Sequence, residues 1–397
     1  MGNSRILIRG LSTISSLGAS RAEVDDTVRR PVCRARLFGE SSTRSVFPLT
    51  SCGDEALLRV ANEERYVRLD RVTQLAVAAA RGTLRPDIVA RDSIGCVSIG
   101  SSRGATNTLE KTIRGCVESD PKVPTYTSPI TTAGNISSWV AQEYLAGAER
   151  DASSLVSLNT SMTCSSAFHS LLVALAFVRS GMAETAIFGG AEACLTPYTL
   201  AHLEALRINS ELGTDWPCRP GSEGSGNTVV LGEGAGTALL CREDDFNMDG
   251  DLELLGVGWA LESTPTATGI SADGASFEAA MTRAIQFLPG GVSVDCVVAH
   301  APGSIRGDDA ELSAIQRVFG RVMTCSTKHV TGHTYGASGM VSLGLAQSLL
   351  YGAKWPGFPY PCRFSADEAP SPRVVLINTA GFGGNCISIV VGKRAGR

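Results

Sequence analysis

The chain has 397 residues, 43% hydrophobic and only 19% charged, which supplies a full core and excludes a disordered chain. Lys and Arg number 35 against 39 Asp and Glu, so no dominant basic field marks a nucleic-acid protein. Glycine is in surplus, 43 residues where a share of about 7% is usual.

The first apolar stretch, Arg5-Ile6-Leu7-Ile8-Arg9, is too short and interrupted for a signal peptide. Ile94–Ile99 reads as a short strand, and the glycine-rich Gly100-Ser-Ser102-Arg-Gly104 follows it. Leu155–Leu158 and Ala186–Phe188 read as further strands. Between them Ala167 to Val178 is apolar nearly all round, as a buried helix is, and Gly181 is its expected stop. Leu231-Gly-Glu-Gly-Ala-Gly-Thr-Ala-Leu-Leu240 is a glycine-rich turn entering a strand, and a polar, Asp-rich stretch, Arg242–Asp251, follows. Cys296–Ala299 is another strand and Met340 to Leu350 a small-residue helix. Ala380-Gly-Phe-Gly-Gly-Asn-Cys-Ile-Ser-Ile389 then repeats the plan of 231–240. Short strands alternating with helical spans predict a layered sheet with crossover helices. The echo predicts two similar halves, 1–245 and 246–397.

No apolar run approaches the roughly 18 residues of a membrane span. The 12 cysteines contain no CxxC spacing and the five histidines no HExxH motif, which speaks against structural zinc. Scattered cysteines without an export signal predict free thiols in a reducing, cytoplasmic compartment.

Two segments offer a nucleophile. Gly100-Ser-Ser102-Arg-Gly104 fits the G-x-S-x-G elbow, and a hydrolase built on Ser102 would take Asp308 and His333 as acid and base. The plain alternative is a turn after a strand. Asn159-Thr-Ser-Met-Thr-Cys164-Ser-Ser-Ala-Phe-His169 places Cys164 between a strand end and the apolar helix, with Ser and Thr to cap it. There the helix dipole and free N–H groups are expected to lower the thiol pKa and to help hold an oxyanion. An ordinary buried cysteine is the alternative. Downstream, Val298-Ala-His300-Ala-Pro-Gly-Ser304 puts a histidine just past a strand, and Lys328 and His333 stand five residues apart before the next helix. Such groups at strand–helix junctions are hard to read as core packing.

These residues resemble the β-ketoacyl-acyl carrier protein synthases, the condensing-enzyme branch of the thiolase fold. Cys164-Ser-Ser is similar to the family's nucleophile segment, and Gly189-Gly-Ala-Glu192, Pro217-Cys-Arg-Pro220 and Gly232-Glu-Gly-Ala-Gly236 follow in order. His300 to Ser304, with Gly307-Asp308 and Glu311, resembles the first histidine motif. Lys328 with Gly332-His333 resembles the second, and Gly381-Phe-Gly-Gly-Asn385 the terminal glycine motif.

The resemblance implies an α/β, thiolase-like α-β-α-β-α body of two βαβ-type halves, and its Cys-His-His set implies the elongating class. By it Cys164 would take an acyl group from a carrier thioester, and His300 and His333 would stabilise the enolate of decarboxylating malonyl-carrier. Lys328 would orient the pair, and the N–H groups of Cys164 and Phe382 would form an oxyanion hole. Glu311, Asp308 and Ser304 would support the site. Ser102, Arg103, Ala380 and Phe382 would line the acyl pocket, and Arg65, Arg68 and Arg207 would dock an acidic acyl carrier protein. It implies no metal or redox cofactor, phosphopantetheine belonging to the carrier, and a homodimer or heterodimer.

Three departures stand out. Pro302 replaces a hydroxyl that usually holds pantetheine, leaving Ser304; Ala380 replaces a gatekeeper phenylalanine; and Ser342 replaces an acidic residue, which leaves Glu311 as the expected partner of Lys328. Gly100–Thr106 and Ser128–Trp139 resemble synthases of aryl-polyene and flexirubin-type pigment clusters, which implies a rigid, polyunsaturated or aryl chain. Against an active synthase stand a non-catalytic, chain-length-setting partner subunit and a serine hydrolase at Ser102.

Overall fold

The computed structural model describes residues 5–39, 42–85, 93–118, 123–146, 155–224, 226–243, 249–264, 266–364 and 371–394. The first part of the chain runs β1 (Ile6–Ser15), α1 (Arg21–Arg29), β2 (Arg36–Leu37), β3 (Ser45–Phe47), α2 (Ser51–Ala61) and α3 (Arg71–Thr83). It continues with β4 (Ile94–Gly100), α4 (Thr106–Glu118), α5 (Thr127–Thr131), α6 (Asn135–Ala146), β5 (Val156–Thr160) and α7 (Ser166–Ser180). Next come β6 (Thr185–Glu192), α8 (Pro197–Ala205), β7 (Leu231–Gly232) and β8 (Gly234–Arg242). The second part has β9 (Leu252–Leu261), α9 (Ala275–Ile285), β10 (Cys296–Val298), α10 (Ile305–Phe319), β11 (Met323–Cys325) and α11 (Lys328–Thr331). It ends with α12 (Ser338–Leu350), β12 (Val374–Gly381) and β13 (Asn385–Lys393).

Ten strands form one sheet in the order β11-β10-β12-β13-β9-β1-β8-β6-β4-β5. On one side of its centre β4 pairs parallel with β5 and β6, and β8 is antiparallel to both β6 and β1. On the other side β10 pairs parallel with β11 and β12, and β13 is antiparallel to both β12 and β9. The two sets of five thus share one order and one set of directions. They meet at β1 and β9, where Leu7 faces Glu253 and Ile8 faces Leu252. The expected boundary at 245/246 lies outside the described residues.

The layers follow from burial. β6 and β12 are buried at every position, as strands covered on both faces are, which is why their sequences lack alternation. α7 packs on β4 and β6 and touches α12, which packs on β12, β1 and β8. Together they fill the middle layer, with Phe168, Leu171, Met340 and Leu343 in one core shared with strands of both halves. Every residue of α12 is buried. Outer helices close the remaining faces: α3 and α6 over the first set of strands, α9 and α10 over the second.

The sequence reading needs one correction. Thr163–Ser180 is long and apolar enough to cross a membrane, although no run of that length was expected. Half of it is buried, as α7, between the two sets of strands, where an apolar surface on every side is needed. The helix stops at Gly181, whose φ of 78° is left-handed.

Candidate active site

Cys164 sits in the turn between β5 and α7, the end of the sheet where the chain leaves a parallel strand for a buried helix. Thr163 takes a left-handed φ of 50° to make that turn. The Ser166 hydroxyl accepts from Met162 N at 2.9 Å and donates to the Thr163 carbonyl at 2.6 Å. Ser165 is the N-cap residue, but its side chain makes no capping bond to the helix as expected. Its hydroxyl lies against the Met162 carbonyl at 2.8 Å and against Asn385 Oδ1, which ties the turn to β13.

Burial overrides the helix dipole at the thiol. Cys164 is pushed up to about 12, first by burial and then by the nearby Glu192 carboxylate, with Lys328 and its own backbone N–H pulling the other way. The expected lowering is therefore not found; the resting group is a thiol.

His300 follows β10. Glu311 on α10 holds its loop by accepting from His300 N at 2.8 Å and Ala301 N at 2.7 Å, and Asn378 Nδ2 donates to the same carboxylate at 2.9 Å. One turn earlier, Asp308 accepts from Gly303 N at 3.1 Å and Gly221 N at 2.8 Å. Burial pushes Glu311 up and Asp308 up to about 7. His333 N donates to the Val230 carbonyl at 2.7 Å, which carries the ring into the same space. His333 Nε2 lies 3.1 Å from Cys164 Sγ, and the His300 and His333 rings stand edge to face with centroids 5.1 Å apart. Both histidines are held well below the usual imidazole range, His300 by burial, His333 and Lys328, and His333 by burial and Lys328. Each is neutral at pH 7.

Lys328 is 1% exposed and pushed down to about 8 by burial. Among the described residues no ion pair joins it to Glu311, whose oxygens are already taken by three N–H donors. The pairing of Lys328 with Glu311 that the sequence left open is therefore not a contact pair, although each charge still favours the other through space.

Cys164, His300, His333, Ser304, Ala380 and Phe382 line one cavity of about 60 Å³, with Leu206, Ile208 and Phe277 on its apolar wall. Gly381, the last residue of β12, presses on the nucleophile turn: a Cβ there would meet Thr163 Oγ1 at 1.8 Å. Asn385 Nδ2 donates to the Phe382 carbonyl at 3.0 Å and so links the glycine loop to the same turn.

Ser102 and Arg103 do not line this cavity. Their backbone N–H groups donate to the buried Glu192 at 2.8 Å and 3.1 Å, as Gly336 N does at 3.0 Å. Burial pushes Glu192 up to about 7. The Arg103 guanidinium lies over Tyr198, 5.4 Å from the ring centroid. The hydrolase constellation is not assembled, since His333 faces the Cys164 sulfur and Asp308 is bound to Gly221 and Gly303. Arg207 is exposed between the wall residues Leu206 and Ile208. Arg65 binds Gln142 at 3.2 Å, and Arg68 lies over Tyr126; neither lines the cavity.

Sequence reasoning missed three groups: Tyr335, a cavity residue with a left-handed φ of 40°; the Glu192 hub; and Ser338, whose hydroxyl lies 3.2 Å from His333 Nδ1. A hydroxyl five residues beyond the second histidine was the available signal for the last.

Residues 3–245 match the family Beta-ketoacyl synthase, N-terminal domain, and residues 253–357 match its C-terminal counterpart. Nodulation protein E of Rhizobium leguminosarum bv. trifolii is 26% identical over 362 residues, 85% of this chain and 84% of its own length. The 3-oxoacyl-acyl-carrier-protein synthase 2 of Vibrio harveyi is 31% identical over 262 residues, 62% of this chain and 60% of its own. Among solved structures, the ketosynthase ApeO in complex with its chain length factor ApeC from Xenorhabdus doucetiae has a TM-score of 0.78 at 21% identity, covering 98% of both chains. The ishigamide ketosynthase/chain length factor has a TM-score of 0.81 at 21% identity, covering 99% of this chain and 100% of that one. These two likenesses show the thiolase-like fold. With both domains matched across the body that holds Cys164, His300 and His333, the chain belongs to the β-ketoacyl synthase family and is an acyltransferase-type condensing enzyme of chain elongation.

Proposed function

We propose that the protein joins malonyl-acyl carrier protein to an acyl group held on Cys164. The observation that carries this reading is His333 Nε2 at 3.1 Å from Cys164 Sγ, with His300 across the same buried cavity. In the first half-reaction the Cys164 sulfur attacks the carrier thioester, the acyl–sulfur bond passes to Cys164, and the thiol proton leaves with the carrier's pantetheine sulfur. In the second, malonyl-carrier loses carbon dioxide, and its enolate carbon attacks the acyl-cysteine. The new carbon–carbon bond forms as the Cys164 sulfur departs and regains a proton. Neutral His300 and His333 suit the second step as N–H donors to the enolate oxygen, with Lys328 supplying positive charge behind them. The N–H groups of Cys164 and Phe382 hold the thioester oxygen. No metal or redox cofactor is required, because the carrier brings its own phosphopantetheine.

The cavity has room for only a few waters, so a long acyl chain needs space beyond this single chain. β5, at the end of the ten-stranded sheet, presents an edge on which a second subunit, identical or related, completes the pocket. We assign 1–245 to the half carrying the nucleophile and 246–397 to the half carrying the histidines. Ala380 in place of a bulky gate favours a rigid, polyunsaturated or aryl primer, Ser102 and Arg103 contribute at the subunit boundary, and the compartment is the cytoplasm. Exposed Arg207, flanked by the cavity residues Leu206 and Ile208, receives the acidic carrier together with Arg65 and Arg68.

The test is intact mass after incubation with acyl-carrier, in wild type, Cys164→Ala and Ser102→Ala. An acyl adduct lost only in Cys164→Ala is expected. Loss only in Ser102→Ala overturns the assignment in favour of a hydrolase, and no adduct in wild type overturns it in favour of a non-catalytic subunit.

A further inference from the structure

Ser338 opens α12, and its hydroxyl lies 3.2 Å from His333 Nδ1 on one side and 3.2 Å from Thr334 Oγ1 on the other. Ser338, Thr334 and His333 are all more than nine-tenths buried. The line of contacts runs Thr334, Ser338, His333, Cys164, ending at the 3.1 Å contact to the sulfur. Among the described residues Ser338 is the one hydrogen-bond partner of both the Thr334 hydroxyl and His333 Nδ1.

Those contacts settle where the protons go. A hydroxyl has one proton to donate, and a neutral imidazole carries one N–H. If that proton sat on Nδ1, it would go to Ser338, the Ser338 proton to Thr334, and the Thr334 proton would be buried with no acceptor. In the opposite direction Thr334 donates to Ser338, Ser338 donates to Nδ1 and Nε2–H faces the sulfur, so the one proton left unmatched in the line is that of the Cys164 S–H, a weak donor. A buried hydroxyl left unmatched costs more than a buried S–H, so the second direction wins. The imidazole proton then lies on Nε2, facing Cys164.

We propose that Ser338, oriented by Thr334, is a positioning residue that holds His333 as the Nε2–H tautomer, a fixed N–H donor to the Cys164 sulfur and to the oxygen developing beside it. His300 has no such support: its Nδ1 is buried without a partner among the described residues. The two histidines are therefore not equivalent, although both line the cavity. The inference rests on the condensing-enzyme reading of the site.

The experiment combines ring-nitrogen NMR of histidine-¹⁵N-labelled full-length protein with single-turnover condensation from preformed acyl-Cys164, in wild type, Ser338→Ala and Ser338→Thr. Wild type is expected to show His333 protonated only at Nε2. Ser338→Ala is expected to show a mixture of tautomers and a condensation kcat about tenfold lower, less than the roughly 100-fold at the foot of the general-acid range because the ring itself remains, with an unchanged KM for malonyl-carrier. Ser338→Thr restores both readouts. An Nδ1–H signal in wild type overturns the proposal, and that measurement decides the matter even if Ser338→Ala does not fold. So does a Ser338→Ala protein that loses rate while keeping a pure Nε2–H ring, which is what a merely structural role predicts. Failure of the condensing reading is separate: it appears as wild type that takes no acyl group on Cys164.

Discussion

Three buried groups around the site, Lys328, Glu192 and Asp308, are shifted to between about 7 and about 8, and Lys328 is the most informative. Burial lowers it from its ordinary value of 10.5 to about 8, so its ammonium is present below that pH and lost above it. Condensation from preloaded acyl-Cys164 has no thiol to titrate, and its rate is expected to fall as the pH rises through about 8. Lys328→Arg keeps its charge above pH 12, so whatever rate it retains should hold across that window. A wild-type rate that is flat from pH 7 to 10 would remove charge from the proposed role of Lys328. The same shift has a stability consequence of definite sign. The unfolded chain keeps the Lys328 proton up to pH 10.5 and the folded one only to about 8, so this group's penalty on folding is relieved as the pH rises between those values. Glu192, raised to about 7, acts oppositely: its contribution is fully present below 4.5 and lost as the pH rises through 7.

At the scale of elements, the site depends on how closely the end of β12 approaches the turn before α7. Only a hydrogen fits at Gly381, where a Cβ would lie 1.8 Å from Thr163 Oγ1. Gly381→Ala must therefore displace the Thr163 and Asn385 side chains that join the nucleophile turn to the Phe382 loop. Since loss of one oxyanion-hole donor costs about 100-fold or more in kcat, a fall of that order is expected, with the Cys164 adduct still forming slowly. Activity near wild type alongside an unchanged thermal midpoint would show that the loop accommodates a methyl group and that the close approach is not functional. Asn385 belongs to the same joint, spanning Ser165 and the Phe382 carbonyl from the start of β13.

The whole molecule carries a formal charge of -4, so attraction of an acidic carrier has to be local. Arg207 is exposed between the cavity residues Leu206 and Ile208, whereas Arg65 and Arg68 lie between α2 and α3 against aromatic rings of Tyr66, Trp139 and Tyr126. Reversing the charge at Arg68 and Arg207 together should raise KM for carrier-bound substrates and leave KM for small thioesters unchanged. Equal kinetics on carrier substrates would sink the docking assignment. The opposed sets of five strands place both catalytic segments in one space, because β5 and β10 deliver their following loops to the same end of the body, where α7 and α12 begin.

Much of this was legible in the sequence. The strand at Ile94, the buried helix from Ala167 and its stop at Gly181 follow from local pattern and backbone freedom alone. The ordered motifs around Cys164, His300, Lys328, His333 and Gly381 identified the family, since each carries residue types that chemistry requires at a strand end. Local pattern could not give what depends on distant neighbours. The Cys164 thiol is raised rather than lowered because burial and Glu192, 28 positions away, outweigh the start of its own helix. Glu311 binds the backbone of its own loop instead of Lys328, and Ser102 belongs to a turn wrapped on a carboxylate instead of a triad. Chain order determined which groups the protein owns. Only tertiary packing decided which of them share a cavity, in what protonation state, and on which ring nitrogen His333 carries its proton.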